Sequence, residues 1–298
     1  MPSKQDFLGR RPAFTALLSG YYGAGKTLQM LSFPKVYVIS VDPAGLEPLR
    51  QPRNQKFLDN LVWYEELGRE DKLELKDMFD ESAKSDNRKS LFGCIAHAKE
   101  LAAKGEIETL GIDGGTYLVD LIWAKINEFE KIKSAKTGNV DTMSMYRELG
   151  IYLYRLFAAN LLTVASRSNL NLLVSFHLKR ESEEQLNSSA NTPNRARKLM
   201  LNSDIALMIE GGFRNKIEGL FGGSLYLEKE LNKEDGKINY TAICDVAKGF
   251  KTTVIAKNRW GLAPRISLNN KTLYQHLMET LGVKVDVPAS PKTAATKA

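Results

Sequence analysis

The stretch Gly20-Tyr21-Tyr22-Gly23-Ala24-Gly25-Lys26-Thr27 matches the pattern G-x-x-x-x-G-K-[ST] at every fixed position. Glycines at these places let consecutive backbone N–H groups turn toward one anion. The lysine can reach the β- and γ-phosphates of a nucleotide, and the threonine hydroxyl can ligate Mg²⁺. Such a loop works only between the end of a strand and the start of a helix. The flanking residues supply both: Ala13-Phe14-Thr15-Ala16-Leu17-Leu18 reads as a buried strand, and Lys26 to Leu31 as the first turns of a helix. The alternative is an ordinary glycine-rich turn.

The rest of the 298-residue chain is of ordinary globular composition, 43% hydrophobic and 26% charged. No apolar run in the sequence reads as a bilayer span, and Met1 to Asp6 lack the apolar stretch of a secretion signal. A cytoplasmic protein without membrane partners is expected. Cys94 and Cys244, far apart and without metal-ligand spacing, read as reduced structural thiols. The net charge of +7 permits a polyanionic partner. Between Asp245 and Glu279 there is no acidic residue, whereas Lys248, Lys251, Lys257, Arg259, Arg265 and Lys271 all fall there. That run is either a solvated face or a surface that meets phosphates or a neighbouring subunit.

Candidate site residues stand where buried strands end. Val36-Tyr37-Val38-Ile39-Ser40-Val41 leads to Asp42, with Pro43 and Gly45 next. In open α/β sheets the carboxyl ends of strands carry the ligand chemistry. Asp42 is therefore either a carboxylate that polarises an attacking water or the first residue of a turn, and Glu47 is a less well placed second carboxylate. Ile107 to Asp113 is a largely apolar strand ending in aspartate, which suits a second Mg²⁺-holding group. Leu170 to His177 is another strand, and its terminal histidine either senses a γ-phosphate or is a satisfied strand-end side chain. Helices are expected over about 116–132, with Leu118, Ile122, Ile126 and Phe129 inward, and over about 143–166, with Leu149, Leu153, Leu156, Phe157 and Leu161 inward. The polar segments 131–139 and 179–198 read as exposed connections, and the second is long enough to contact DNA through phosphates. From 204 to 260 the pattern is strand-like with glycine turns, and an antiparallel extension of the sheet is expected. His97 reads as packing or surface. Residues 283–298, rich in Pro, Ala, Thr and Lys, read as a disordered tail.

Taken together, the loop GYYGAGKT, the strand ending at Asp113, the strand ending at His177 and Lys257-Asn258-Arg259-Trp260-Gly261 resemble the RecA/RadA-type core ATPases. The likeness is greatest to small phage-encoded proteins of that kind, some of which act in single-strand annealing and recombination. It covers roughly residues 10 to 282 and implies one RecA-like P-loop NTPase domain over 1–282. Such a domain has a mainly parallel central sheet flanked by helices, with an antiparallel extension in its C-terminal third. Lys257-Asn258-Arg259 is similar to the K-x-R signature of RadA-like and DnaB-like proteins, whose lysine and arginine reach the γ-phosphate of a neighbouring subunit's ATP. The implied site comprises Gly20, Gly23, Ala24, Gly25, Lys26 and Thr27 on the phosphates and Thr27 with Asp113 on Mg²⁺. Asp42 is on the water, His177 on the γ-phosphate, and Lys257 with Arg259 acts in trans. The implied partners are ATP, Mg²⁺, single-stranded DNA and further copies of the chain in a ring or filament.

The chain departs from that pattern in two places: aspartate at 42 where glutamate is common, and histidine at 177 where many relatives carry glutamine. The shorter carboxylate keeps open a second function, an ATP-switched DNA-annealing or scaffold module with negligible turnover. A small-molecule P-loop kinase is the third, weakened by the lack of an arginine-rich lid and by the β-rich C-terminal third.

Overall fold

Period-two alternation along a few strands decides the architecture. In β1 (Thr15–Gly20), Ala16 and Leu18 face one way and Leu17 the other. In β2 (Val36–Ser40) Val36 and Val38 oppose Tyr37 and Ile39, and in β5 (Asn171–Arg180) Leu173 opposes Leu172 and Val174. All of these residues are buried, so the sheet must be covered on both faces, as parallel sheets are. The computed structural model, which describes residues 13–42, 44–68, 74–129, 141–180, 205–207, 213–233, 236–245 and 257–283, is an α/β protein with one large mixed sheet.

The strand order is β10-β8-β7-β1-β5-β4-β2-β3, where β3 is Leu61–Glu66, β4 Thr109–Asp113, β7 Gly223–Leu231, β8 Ile238–Ile243 and β10 Arg265–Ser267. Every neighbouring pair from β3 to β7 is parallel. The antiparallel pairs are β8 on β7, β10 on β8, β9 (Lys257–Asn258) on the start of β7, and β6 (Ile205–Leu207) on the end of β5.

The expected antiparallel extension over 204–260 is therefore corrected in extent. β7 belongs to the parallel core beside β1, and β10 carries the antiparallel edge beyond residue 260. The sequence signal misled because Gly222-Gly223 looks like a hairpin turn. In the structure, helix α7 (Arg214–Leu220) precedes β7, and such a crossover can start a strand parallel to its neighbour. The segments 131–139 and 181–198, and residues 246–256 of the strand-like stretch 204–260, lie outside the described residues, as does the tail beyond Val283.

One face of the sheet is covered by α3 (Leu91–Ala103), α4 (Gly115–Phe129), α5 (Thr142–Tyr154) and α6 (Thr163–Ser168). A π-helical stretch, Arg155–Leu162, joins the last two into one continuous rod of 27 residues. By length and composition alone that rod is long and apolar enough to cross a membrane. Here Leu149, Leu153, Leu156, Phe157 and Leu161, the residues predicted to point inward, are all buried in the core. Leu118, Ile122 and Ile126 of α4 are buried as expected too. On the other face lie the short α1 (Lys26–Met30) and α8 (Leu273–Thr280), the latter opened by a Thr272–Gln275 capping box. Helix α2 is the four-residue Leu75–Met78.

Candidate functional site

Alternation also places the chemistry. The α1 face of the sheet takes Val36, Val38, Leu173, Leu225 and Leu227, so by parity it also takes Ser40 of β2, Gly111 and Asp113 of β4, and Ser175 and His177 of β5. The bare backbone of Gly111 gives α1 its seat: a Cβ there would run into the Met30 sulfur. Asp42, Asp113 and His177 thus reach the carboxyl ends of adjacent parallel strands under the N-terminus of α1. Gly20 is level with His177 in the β1–β5 register.

The loop from Gly20 to Lys26 leaves β1 through Gly23 and Gly25, both in the left-handed region with φ 75° and 86°. The turn is fastened by Ala24 N donating to Tyr21 O at 3.2 Å. The N–H groups of Gly23, Gly25, Lys26 and Thr27 have no acceptor among the described residues. Four free donors on one curl of backbone form an anion-binding concavity. Lys26, only 7% exposed, donates from Nζ to Gly20 O at 3.0 Å and Tyr21 O at 3.1 Å, and lies 3.1 Å from His177 Nδ1. Burial draws its pKa down to about 8, and the nearby Asp113 and Asp42 carboxylates oppose that shift.

An ammonium accepts no hydrogen bond, so His177 Nδ1 must present its lone pair to Lys26 and the proton must sit on Nε2. Nε2 points toward Asp42 Oδ2, 3.8 Å away, too long for a hydrogen bond. Burial and then the Lys26 charge lower the His177 pKa to about 4, so the ring is neutral at pH 7. It is also boxed in. Tyr22 stacks on it with ring centroids 4.0 Å apart, Tyr117 meets it edge-on at 5.9 Å, and its backbone N–H donates to Thr116 Oγ1 at 2.9 Å. A hydrogen bond with Tyr22, aided by burial, pushes the Tyr117 phenol up to about 12.

Asp113 is the best anchored of the predicted residues. Its Oδ2 accepts from Thr27 Oγ1 at 2.8 Å and its Oδ1 from Ser175 Oγ at 2.6 Å, while Ser175 Oγ itself accepts from Gly114 N at 2.9 Å. Burial raises its pKa, against the pull of these two hydroxyls. A Cβ on Gly45 would lie 2.6 Å from Asp113 Oδ2, so the carboxylate fills the space that this glycine leaves. Among the described residues no group of three or more His, Cys, Asp or Glu side chains could hold a metal. Thr27 and Asp113 instead offer two hard oxygens at one point. That fits a cation such as Mg²⁺, which keeps several waters and completes its shell from phosphate.

Asp42 starts the turn, the second of the two readings given for it. Its Oδ1 accepts from Ala44 N at 3.0 Å, closing the turn, while Oδ2 faces His177. Glu47 instead pairs with Arg50 at 3.3 Å in a 3₁₀ turn. Lys257 and Arg259 are not brought to this cluster within the chain. Lys257 and Asn258 pair with Ser224 and Gly223, which are level with Leu17 and Ala16 of β1. That is three and four residues before Gly20, or ~10–13 Å along the strand. Lys257 Nζ donates to Gly219 O at 2.8 Å and Arg259 is exposed. His97 is a packing residue, with its Nδ1 3.3 Å from Tyr37 Oη and its ring against Trp63.

Sequence reasoning missed Ser175, Thr116, Gly45 and the Tyr22–Tyr117 pair. Ser175 had a signal: it is the one hydroxyl inside the apolar run of β5, two residues before His177 and hence on the same face. The others follow only from the packing of loops. No protein-family model matches the chain, and no curated protein matches it.

Proposed function

We propose that the protein is a Mg²⁺-dependent ATP-binding protein and ATPase of the RecA-like kind, coupled to binding of DNA, preferentially single-stranded, in phage-type recombination, annealing or replication. The observation that carries this reading is the Thr27–Asp113 hydrogen bond of 2.8 Å, which joins the loop hydroxyl to a strand-end carboxylate 86 residues away. The free N–H groups of the loop and the Lys26 ammonium would hold the β- and γ-phosphates, and Thr27 and Asp113 would hold Mg²⁺, which shields phosphate charge. Asp42 Oδ2 would orient the attacking water and His177, through Lys26, would report the γ-phosphate. Lys257 and Arg259, remote from their own loop, would complete the site of a neighbouring copy in a ring or filament in the cytoplasm. The net charge of +7 suits the polyanion.

Steady-state ATP hydrolysis with and without single-stranded DNA, alongside particle mass, tests the whole reading. Turnover that needs Mg²⁺, rises with DNA and disappears in Lys26→Ala and Asp113→Asn is the expected result; turnover intact in both variants would sink the site assignment. Asp42 also favours a second reading, since one of its oxygens is committed to the turn at Ala44. In that reading ATP is a switch and the protein an annealing or scaffold module. Tight ATP binding without turnover identifies it.

A further inference from the structure

Strand β7 brings a cation to the loop from the side opposite Asp113. Along Leu225-Tyr226-Leu227-Glu228-Lys229-Glu230, Leu225 and Leu227 face α1, so Lys229 faces the same way. The flanking carboxylates point to the other face, where both meet Arg265, Glu228 at 3.4 Å and Glu230 at 3.3 Å. Lys229 is thereby left without an ion-pair partner among the described residues. Its cross-strand neighbour on β8 is Tyr240, and each of the two side chains stands against one glycine of the loop. A methyl group on Gly23 would lie 3.6 Å from Lys229 Nζ, and one on Gly25 would lie 3.7 Å from the Tyr240 ring. An unpaired ammonium beside a curl of free N–H groups has one evident use.

We propose that Lys229 is a second phosphate-binding cation supplied by the same chain, which contacts the terminal phosphates of a nucleoside triphosphate seated on Gly20–Thr27. Lys26 approaches those phosphates from the β5 side and Lys229 from the β7 side, so the ligand's charge is met from both flanks before any residue of a neighbouring copy takes part. Tyr240, its partner across the β7–β8 pair, flanks the lysine on the same stretch of loop. The inference rests on the nucleotide-binding reading above.

The test is calorimetric titration of the full chain with Mg²⁺ and the β,γ-imido analogue of ATP. Wild type is compared with Lys26→Ala, Lys229→Ala and Lys229→Arg, all four first shown to have the same circular dichroism. One charge-assisted phosphate contact is worth roughly a tenfold to hundredfold change in affinity. The expected result is that Lys229→Ala weakens binding by that factor while Lys229→Arg stays within about threefold of wild type. Lys229→Ala binding as tightly as wild type, with Lys26→Ala impaired, overturns the inference and leaves the nucleotide reading standing. Equal weakening in Lys229→Ala and Lys229→Arg also overturns it, because the loss would then be packing against Tyr240 and not charge. No binding by wild type overturns both.

Discussion

Lys26→Met should change the way stability depends on pH more than it changes stability at pH 7. The ammonium of Lys26 is held by two carbonyls and an imidazole in a nearly closed place, and its pKa falls from 10.5 to about 8. A lysine depressed in the folded state gives up its proton there first. Between pH 8 and 10.5 the unfolded chain binds more protons than the folded one, so the contribution of Lys26 to stability rises with pH across that window. At ~1.4 kcal/mol per tenfold change, a fall from 10.5 to about 8 gives a rise of roughly 2–3 kcal/mol between pH 7 and pH 10. Cys94 and Cys244, pushed by burial up to about 12, act in the opposite direction above pH 9, because their thiols ionise first in the unfolded chain. They do so equally in both proteins and cancel on subtraction. The measurement is urea unfolding of wild type and Lys26→Met at pH 7, 8, 9 and 10, with the wild-type-minus-variant difference plotted against pH. A difference that stays flat to within ~0.5 kcal/mol would refute the claim that a buried ammonium sits against the loop carbonyls.

His177 titrates on the acid side. Its folded pKa of about 4 lies below the ordinary 6.5, so its contribution is complete above pH 6.5 and is lost as pH falls toward 4, by up to about 3 kcal/mol. Wild type should lose stability over that range faster than His177→Gln, as read by the same subtraction; parallel acid curves would contradict the neutral Nε2–H imidazole. Gly45→Ala places a methyl group 2.6 Å from Asp113 Oδ2 and 3.0 Å from Ser40 Oγ. The carboxylate must then shift off Thr27, at a cost of roughly 1–3 kcal/mol in thermal unfolding. An unchanged melting temperature would mean that the turn at Asp42 to Gly45 is looser than described.

How much of this was legible in the sequence depends on which physical signal each part rests on. The parallel core was readable because β1, β2, β4 and β5 are short apolar runs with β-branched or leucine content, each broken by a residue that is not a large apolar one: Gly20, Ser40, Asp113 and, inside β5, His177. The long inward stripe from Leu149 to Leu161 was readable from helical spacing, although the π-helical stretch within it was not. The direction of β7 was not readable, because a glycine pair looks the same before a hairpin strand and after a crossover helix. Lys229 was invisible for a different reason. In Leu227-Glu228-Lys229-Glu230-Leu231 it looks like a solvated charge, and it takes the pairing of both glutamates with Arg265 on the far face and the approach of Nζ to Gly23 to single it out. Lys257 and Arg259 were read from a motif, and a motif carries no information about which chain's loop they approach.

The two buried charges of the site are not paired with one another, and that arrangement bears on what the site is for. Lys26 rests on carbonyl oxygens and a histidine lone pair, and Asp113 rests on two hydroxyls. Burial pushes each toward its neutral form, the lysine pKa downward and the aspartate pKa upward. A direct ion pair would have relieved both; hydroxyls and carbonyls relieve them only in part and leave each charge able to accept a stronger partner. A phosphate would satisfy the lysine and a divalent cation the carboxylate, and because each ligand also attracts the other, the two would bind best together. Under the proposed function, the neutral imidazole between Lys26 and Asp42 would have a role that a residue filling space would lack. If the proposed phosphate drew Lys26 off His177 Nδ1, that lone pair would be freed and the ring's field at Asp42 Oδ2, 3.8 Å away, would change, which would carry occupancy of the loop toward the end of β2.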